Sequence, residues 1–188
     1  MTTRKVRIEN ENIFDNVFIY IGEYFVDDAR GIGMTPNMVT TLSLVTGILT
    51  ALLLSYSNYI AASVMFLISY ILDCMDGTMA RKFNMETVFG DYYDHFSDIT
   101  KILIIFIVLY NNDSTKFMNL LPFIILFAIL LLTNMGCQEQ SYNSEMSPSL
   151  GLTRELCQVE QNVAYTKWFG CGTFVVFMVI MFLIYKYT

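Results

Sequence analysis

The sequence predicts an all-α integral membrane protein, with an N-terminal amphipathic interfacial helix followed by a bundle of five transmembrane helices, or six. Three observations lead to that class. Hydrophobic residues make up 55% of the 188-residue chain and charged residues only 15%, a balance typical of membrane domains. Most of the apolar residues fall in long runs with few charges. Ahead of those runs, one stretch carries its apolar residues at helical period. The chain then divides into a cytosolic segment, 1–34, and a transmembrane domain, 35–188.

Residues 11–28 form the amphipathic element. Ile13, Phe14, Val17, Phe18, Ile21, Tyr24 and Phe25 recur on one face of a helix, with Asp15, Asn16, Glu23 and Asp27 largely off it. Such a helix is expected to lie on the bilayer with its aromatics in the interface. Gly31-Ile32-Gly33-Met34-Thr35-Pro36-Asn37 breaks it, and Thr35 or Pro36 can start the next helix. Apolar segments follow at 38–56, 59–80, 89–110, 117–136 and 168–187. Each can cross a hydrocarbon layer of ~30 Å at ~1.5 Å per residue. Pro122 falls in the first turns of the fourth, where it does little harm. The region 138–166 is polar, with a loop marked by Pro148 and Gly151 and a short surface helix expected over 152–164.

Cationic residues set the orientation. With the N-terminus inside, Arg4, Lys5, Arg7, Arg30, Arg81, Lys82, Arg154 and Lys167 all fall on the inner side. Only Lys116 and Lys186 fall outside, and Lys101 lies within the third span. The net charge of −6 reflects the acidic clusters, and nothing is basic enough to suggest a nucleic-acid partner. Cys74, Cys137, Cys157 and Cys171 lack metal-ligand spacing and read as reduced packing residues.

The chemistry is concentrated between residues 73 and 98. The pattern is Asp73-x-x-Asp76-Gly77-x-x-Ala80-Arg81, then, after eight residues, Gly90-x-x-x-Asp94-x-x-x-Asp98. An ionised Asp at the centre of a transmembrane helix costs roughly 2.5–3.5 kcal/mol, so four of them need a cation, water or partner. Helical spacing places Asp73, Asp76, Gly77, Ala80 and Arg81 on one stripe and Gly90, Asp94 and Asp98 on another. A turn near Asn84 brings the two helices back antiparallel, so the stripes can face each other at the cytosolic end. Hard oxygen ligands suit Mg²⁺ or Mn²⁺, and two such ions about 3.5–4 Å apart can clamp a diphosphate. Gly77 permits close approach of a nucleotide, and Arg81 offers a planar fork for phosphate. The bland alternative is that the carboxylates sit at the water interface, paired with Arg81, Lys82 and Lys101.

This pattern resembles the signature of the CDP-alcohol phosphotransferases, with every defining position filled. Thr35-Pro36-Asn37-x-x-Thr40 resembles the element that opens the family's first membrane helix. The resemblance implies attack of an alcohol hydroxyl on the CDP-linked phosphate, with release of CMP. It implies a CDP-linked donor (CDP-diacylglycerol or a CDP-aminoalcohol), an alcohol acceptor, a lipid bilayer and a homodimer. By the same analogy Asp73, Asp76 and Asp94 hold the metal ions, while Asp98 contributes to them and serves as base. Asn37, Gly77 and Arg81 border the CDP. His95 follows Asp94 directly, as in the choline/ethanolamine branch, and is either a second candidate base or a polar residue bonding between helices. Lys101 is either an anion contact or an ion-pair lysine. Members of this size usually have six membrane helices, so either the 152–164 helix completes the bundle or the protein is a shortened form. The competing readings are a Mg²⁺-dependent prenyl-diphosphate transferase and a catalytically inactive family member.

Overall fold

The computed structural model describes residue 4, residues 6–142, residue 157 and residues 163–187. Among these residues the secondary structure is helical, with no strand. Helix α1 spans Ile13–Gly31, α2 Pro36–Ser55, α3 Tyr59–Lys82, α4 Val88–Asn112 and α5 Ser114–Tyr142. A short α6 (Val163–Thr166) and a 3-10 turn (Lys167–Phe169) lead into α7 (Cys171–Tyr187).

Capping residues explain where the first four helices begin. Asn12 accepts the backbone N–H groups of Phe14 and Asp15, Thr35 that of Met38, Asn58 that of Ala61 and Thr87 that of Gly90. Each satisfies one or two of the orphan donors at a helix start. Pro36 occupies the first position of α2, where a missing N–H costs nothing. The turn between α3 and α4 passes through Asn84 at φ 53°, a left-handed conformation that asparagine tolerates better than most residues. That turn reverses the chain, and the two Asp-bearing helices both pack on α2.

Four helical stretches are long and apolar enough to cross a membrane: Pro36–Ser55, Tyr59–Lys82, Ser114–Ser141 and Val163–Lys186. Helix α4 is equally long, but its first half carries Asp91, Asp94, Asp98 and Lys101. It is therefore not among the four by composition. The fourth helix runs on past the expected end at 136, to Tyr142. Of the expected 152–164 helix only Val163 and Ala164 are among the described residues, and they open α6.

Lipid tails are as apolar as leucine, so close packing rather than removal from water holds such a bundle together. Small residues make the close contacts possible. Ala51 and Ala62 lie fully inside, among Leu54, Phe66, Ile105, Leu109, Met178 and Phe182, at the end away from the Asp residues. A smaller cluster of Val26, Ala29, Val39, Met75 and Met79 joins α1, α2 and α3 at the Asp end. At the far end Tyr185 Oη donates to the carbonyl region of Leu109 and Asp113, 2.6 and 2.7 Å away, and so covers the break between α4 and α5.

Two features differ from expectation. Helix α1 packs on the bundle mainly through its small and acidic residues, with Phe18 of its aromatic stripe set edge-on against Tyr70 of α3. Gly22, Val26 and Ala29 are buried, and a Cβ on Gly22 would come within 3.3 Å of Met75 backbone atoms. Ile13, Val17, Tyr24 and Phe25 instead point outward. Asp15, expected on a solvated polar face, is only 5% exposed. It accepts a hydrogen bond from Tyr70 Oη on α3 and one from the backbone N–H of Gly172 at the start of α7. Asn12 reinforces the junction, donating to the Lys167 carbonyl (2.6 Å) and to Thr173 Oγ1 (2.8 Å). The second difference concerns cysteine. Cys137 and Cys157 form a disulfide, whereas Cys74 and Cys171 are free as expected. Sequence spacing holds no sign of that pairing, because it depends on α5 continuing beyond its apolar segment to carry Cys137 into the polar region.

Candidate active site

The beginning of α2, the end of α3 and the beginning of α4 meet at one end of the bundle. There they enclose a cavity of about 160 Å³ lined by Pro36, Asn37, Thr40, Asp76, Gly77, Ala80, Arg81, Met85, Glu86, Thr87, Gly90, Asp91 and Asp94. Of the residues singled out by sequence, Asn37, Asp76, Gly77, Arg81 and Asp94 all line it. The glycines keep it open. A Cβ on Gly77 would lie 3.2 Å from Arg81 Nη1, and one on Gly90 would lie 3.0 Å from Thr87 Oγ1 and 3.3 Å from Asn37 Oδ1.

Deeper in the bundle, oxygens of Asp73, Asp94 and Asp98 lie within 4.8 Å of one another. Asp76 is buried beside them and accepts a 2.6 Å hydrogen bond from Thr40 Oγ1. Asp94 Oδ1 is buried with no hydrogen-bond partner among the described residues. An orphaned carboxylate oxygen inside a bundle is costly, and a hard divalent cation is the ligand that would satisfy it. The donor set is all carboxylate oxygen, which suits Mg²⁺ or Mn²⁺ better than zinc. The residues therefore fit such an ion.

The remaining candidates separate. Asp98 is 45% exposed along its side chain, so one flank of the cluster is open to an incoming group. His95 turns back onto its own helix: Nδ1 lies 2.8 Å from the Asp91 carbonyl oxygen and 3.9 Å from Asp91 Oδ1. It does not line the cavity. Lys101 is paired rather than free for anions, at 3.0 Å from Asp73 Oδ1 and 2.7 Å from Asp98 Oδ1. Sequence reasoning left Ser43, Glu86 and Thr87 unassigned. Thr87 could have been found as the residue three before Gly90 that caps α4, whereas Ser43 and Glu86 offer no such signal.

A family model for CDP-alcohol phosphatidyltransferase matches residues 33–187, which takes in every helix that builds the cavity and the carboxylate cluster. The chain belongs to the CDP-alcohol phosphatidyltransferase family. Among its relatives, an uncharacterized protein of Aquifex aeolicus (strain VF5) is 28% identical over 94 residues, covering 50% of this chain and 44% of that protein. The chain thus spans less than half the length of that relative. No solved structure matches it.

Proposed function

We propose that the protein is a membrane enzyme of phospholipid synthesis. It transfers a phospho-alcohol or phosphatidyl group from a CDP-linked donor to an alcohol hydroxyl and releases CMP. One observation carries the reading: the converging oxygens of Asp73, Asp94 and Asp98 adjoin a cavity lined by the family's nucleotide-side residues Asn37, Gly77 and Arg81. The donor class is CDP-diacylglycerol or a CDP-aminoalcohol. In the reaction the acceptor oxygen forms a bond to the distal phosphorus, the phosphoanhydride bond to CMP breaks, and the acceptor proton passes to a carboxylate.

Bound Mg²⁺ or Mn²⁺, taken as a pair held by Asp73, Asp76, Asp94 and Asp98, would neutralise the diphosphate and stabilise charge on the attacking and leaving oxygens. The chain's own residues supply position and proton transfer. Arg81 presents a guanidinium to phosphate oxygens, and Gly77 lets the nucleotide approach the α3 backbone. Thr40 fixes the rotamer of Asp76 through its hydroxyl. Asp98, whose side chain is partly open, is placed to accept the hydroxyl proton. His95, held by the Asp91 carbonyl, is the second candidate for that role.

The proposal extends to topology. Helix α4 counts as a fifth span because its charged part packs on α2, with Lys101 paired to Asp73 of α3, and its second half is apolar. Helix α1 lies on the bilayer surface with Ile13, Val17, Tyr24 and Phe25 in the interface. The cavity opens to the cytosol, following the bias of Lys and Arg.

The test is CMP release by purified protein, with CDP-linked donors crossed against acceptor alcohols in Mn²⁺ or Mg²⁺. One combination should turn over, and Asp94→Asn, which removes a metal ligand, should lower it by about 10²–10⁴-fold. Failure of every CDP-linked donor, or full activity in Asp94→Asn, would overturn the assignment. Asp98→Asn and His95→Ala compared in the same assay identify the base.

A further inference from the structure

A lysine inside a membrane bundle needs explaining, and Lys101 has no contact with solvent that explains it: its side chain is 7% exposed. In an α-helix side chains lean toward the N-terminus, which for α4 is the cavity end. The Lys101 stem follows that direction through a notch in α2 at Gly47. A Cβ there would come within 2.5 Å of both Cγ and Cδ of the lysine. One turn further along α2, Ser43 Oγ accepts from Lys101 Nζ at 2.8 Å. The Ser43 hydroxyl donates to the Ser69 carbonyl at 2.9 Å, which fixes its lone pairs toward the lysine. Nζ also reaches Asp73 Oδ1 at 3.0 Å and Asp98 Oδ1 at 2.7 Å.

An ammonium has three protons, and Ser43, Asp73 and Asp98 take one each. None is left for a phosphate, so Lys101 acts through the carboxylates and not on the substrate. It joins Asp73 and Asp98, two of the three residues whose oxygens lie within 4.8 Å, and leaves out Asp94, whose Oδ1 has no hydrogen-bond partner among the described residues. We infer that Lys101 is a resident counter-cation: it holds Asp73 and Asp98 together in the metal-free protein and, by repulsion, loosens the cluster's grip on an incoming divalent ion. This rests on the reading of the Asp cluster as a metal site. Two effects of the lysine oppose each other there. Pre-positioning two ligands favours the ion, while a positive charge beside those ligand oxygens disfavours a doubly charged one. At such separations in a protein interior the charge effect is the larger. The lysine therefore keeps the bundle intact without metal and keeps the ion exchangeable.

The experiment is Mn²⁺ binding by electron paramagnetic resonance, with thermal unfolding in EDTA and in Mn²⁺. It uses the full chain in detergent micelles without a CDP donor. Lys101→Met should bind Mn²⁺ roughly tenfold or more tightly than wild type and unfold at a lower temperature in EDTA, with most of that loss restored by Mn²⁺. Lys101→Arg, which keeps the charge, should stay near wild-type affinity. Unchanged or weaker Mn²⁺ binding in Lys101→Met overturns the inference. If Lys101→Met can be recovered only with Mn²⁺ present, the inference is supported. If it cannot be recovered even then, the inference fails, because the ion should replace the missing charge. Wild-type protein that binds no Mn²⁺ would instead sink the metal-site reading beneath it, so the two failures are distinguishable.

Discussion

Replacing Asp15 with asparagine should flatten part of the protein's stability-versus-pH curve. Burial at the junction of α1, α3 and α7 raises the Asp15 carboxyl from 3.8 to about 7, and the hydrogen bond from Tyr70 offsets only part of that rise. The neighbouring charge of Glu11 adds to it. Because the folded-state value is the higher one, the folded protein binds more protons than the unfolded chain between about pH 4 and pH 7. Stability from this group is therefore fully present below pH 4 and is lost as pH rises through about 7. A shift of about three units corresponds to about 4 kcal/mol, and with Asp15 only 5% exposed solvent screening removes little of it. The assay is thermal or denaturant unfolding in micelles from pH 4 to 8, for wild type and Asp15→Asn. Glu11, which burial also raises, is present in both proteins, so most of the difference between the two curves belongs to Asp15. Wild type should lose ground to the variant by a few kcal/mol across that window. A difference curve that is flat, or that slopes the other way, would refute the argument that burial governs this carboxyl.

The same junction should resist any added side chain on its glycines. A Cβ at Gly172 would lie 2.7 Å from the Asp15 backbone nitrogen, and Gly172→Ala should cost about 1–3 kcal/mol of stability, read as a lower Tm. At the proposed active site, Thr40→Val keeps shape but removes the 2.6 Å bond to Asp76. A buried carboxylate short of one partner costs about 1–3 kcal/mol, so CMP release should fall by roughly ten- to a hundredfold with little change in donor KM. Removing metal with EDTA should abolish CMP release, and Mn²⁺ or Mg²⁺ should restore it while Ca²⁺, with longer and more flexible coordination, should restore it poorly.

What the sequence could reveal depended on whether a feature is local. The apolar segments and the two Asp stripes are periodic within single helices, so hydropathy and offsets of three and four residues locate them. The five segments agree with α2, α3, α4, α5 and α7 to within a few residues at most ends. Features made by two helices meeting were not legible. Lys101 alone is compatible with snorkelling, anion binding or pairing. The contact with Asp73, the notch at Gly47 and the hydroxyl of Ser43, all on other helices, decide among them. The same holds for α1. Its aromatic residues read from sequence as one face, but it is another face that mainly meets the bundle. That face is Asp15, Gly22, Val26 and Ala29. An acidic residue in such a position reads as solvated until Tyr70 and the start of α7 are seen to receive it. Both cases have one physical origin. A charge in this molecule is tolerated where a neighbouring helix omits a side chain (Gly47 beside Lys101, Gly172 beside Asp15) and leaves room for polar partners to close around it. Glycines on facing helices thus decide where the charged residues can be held.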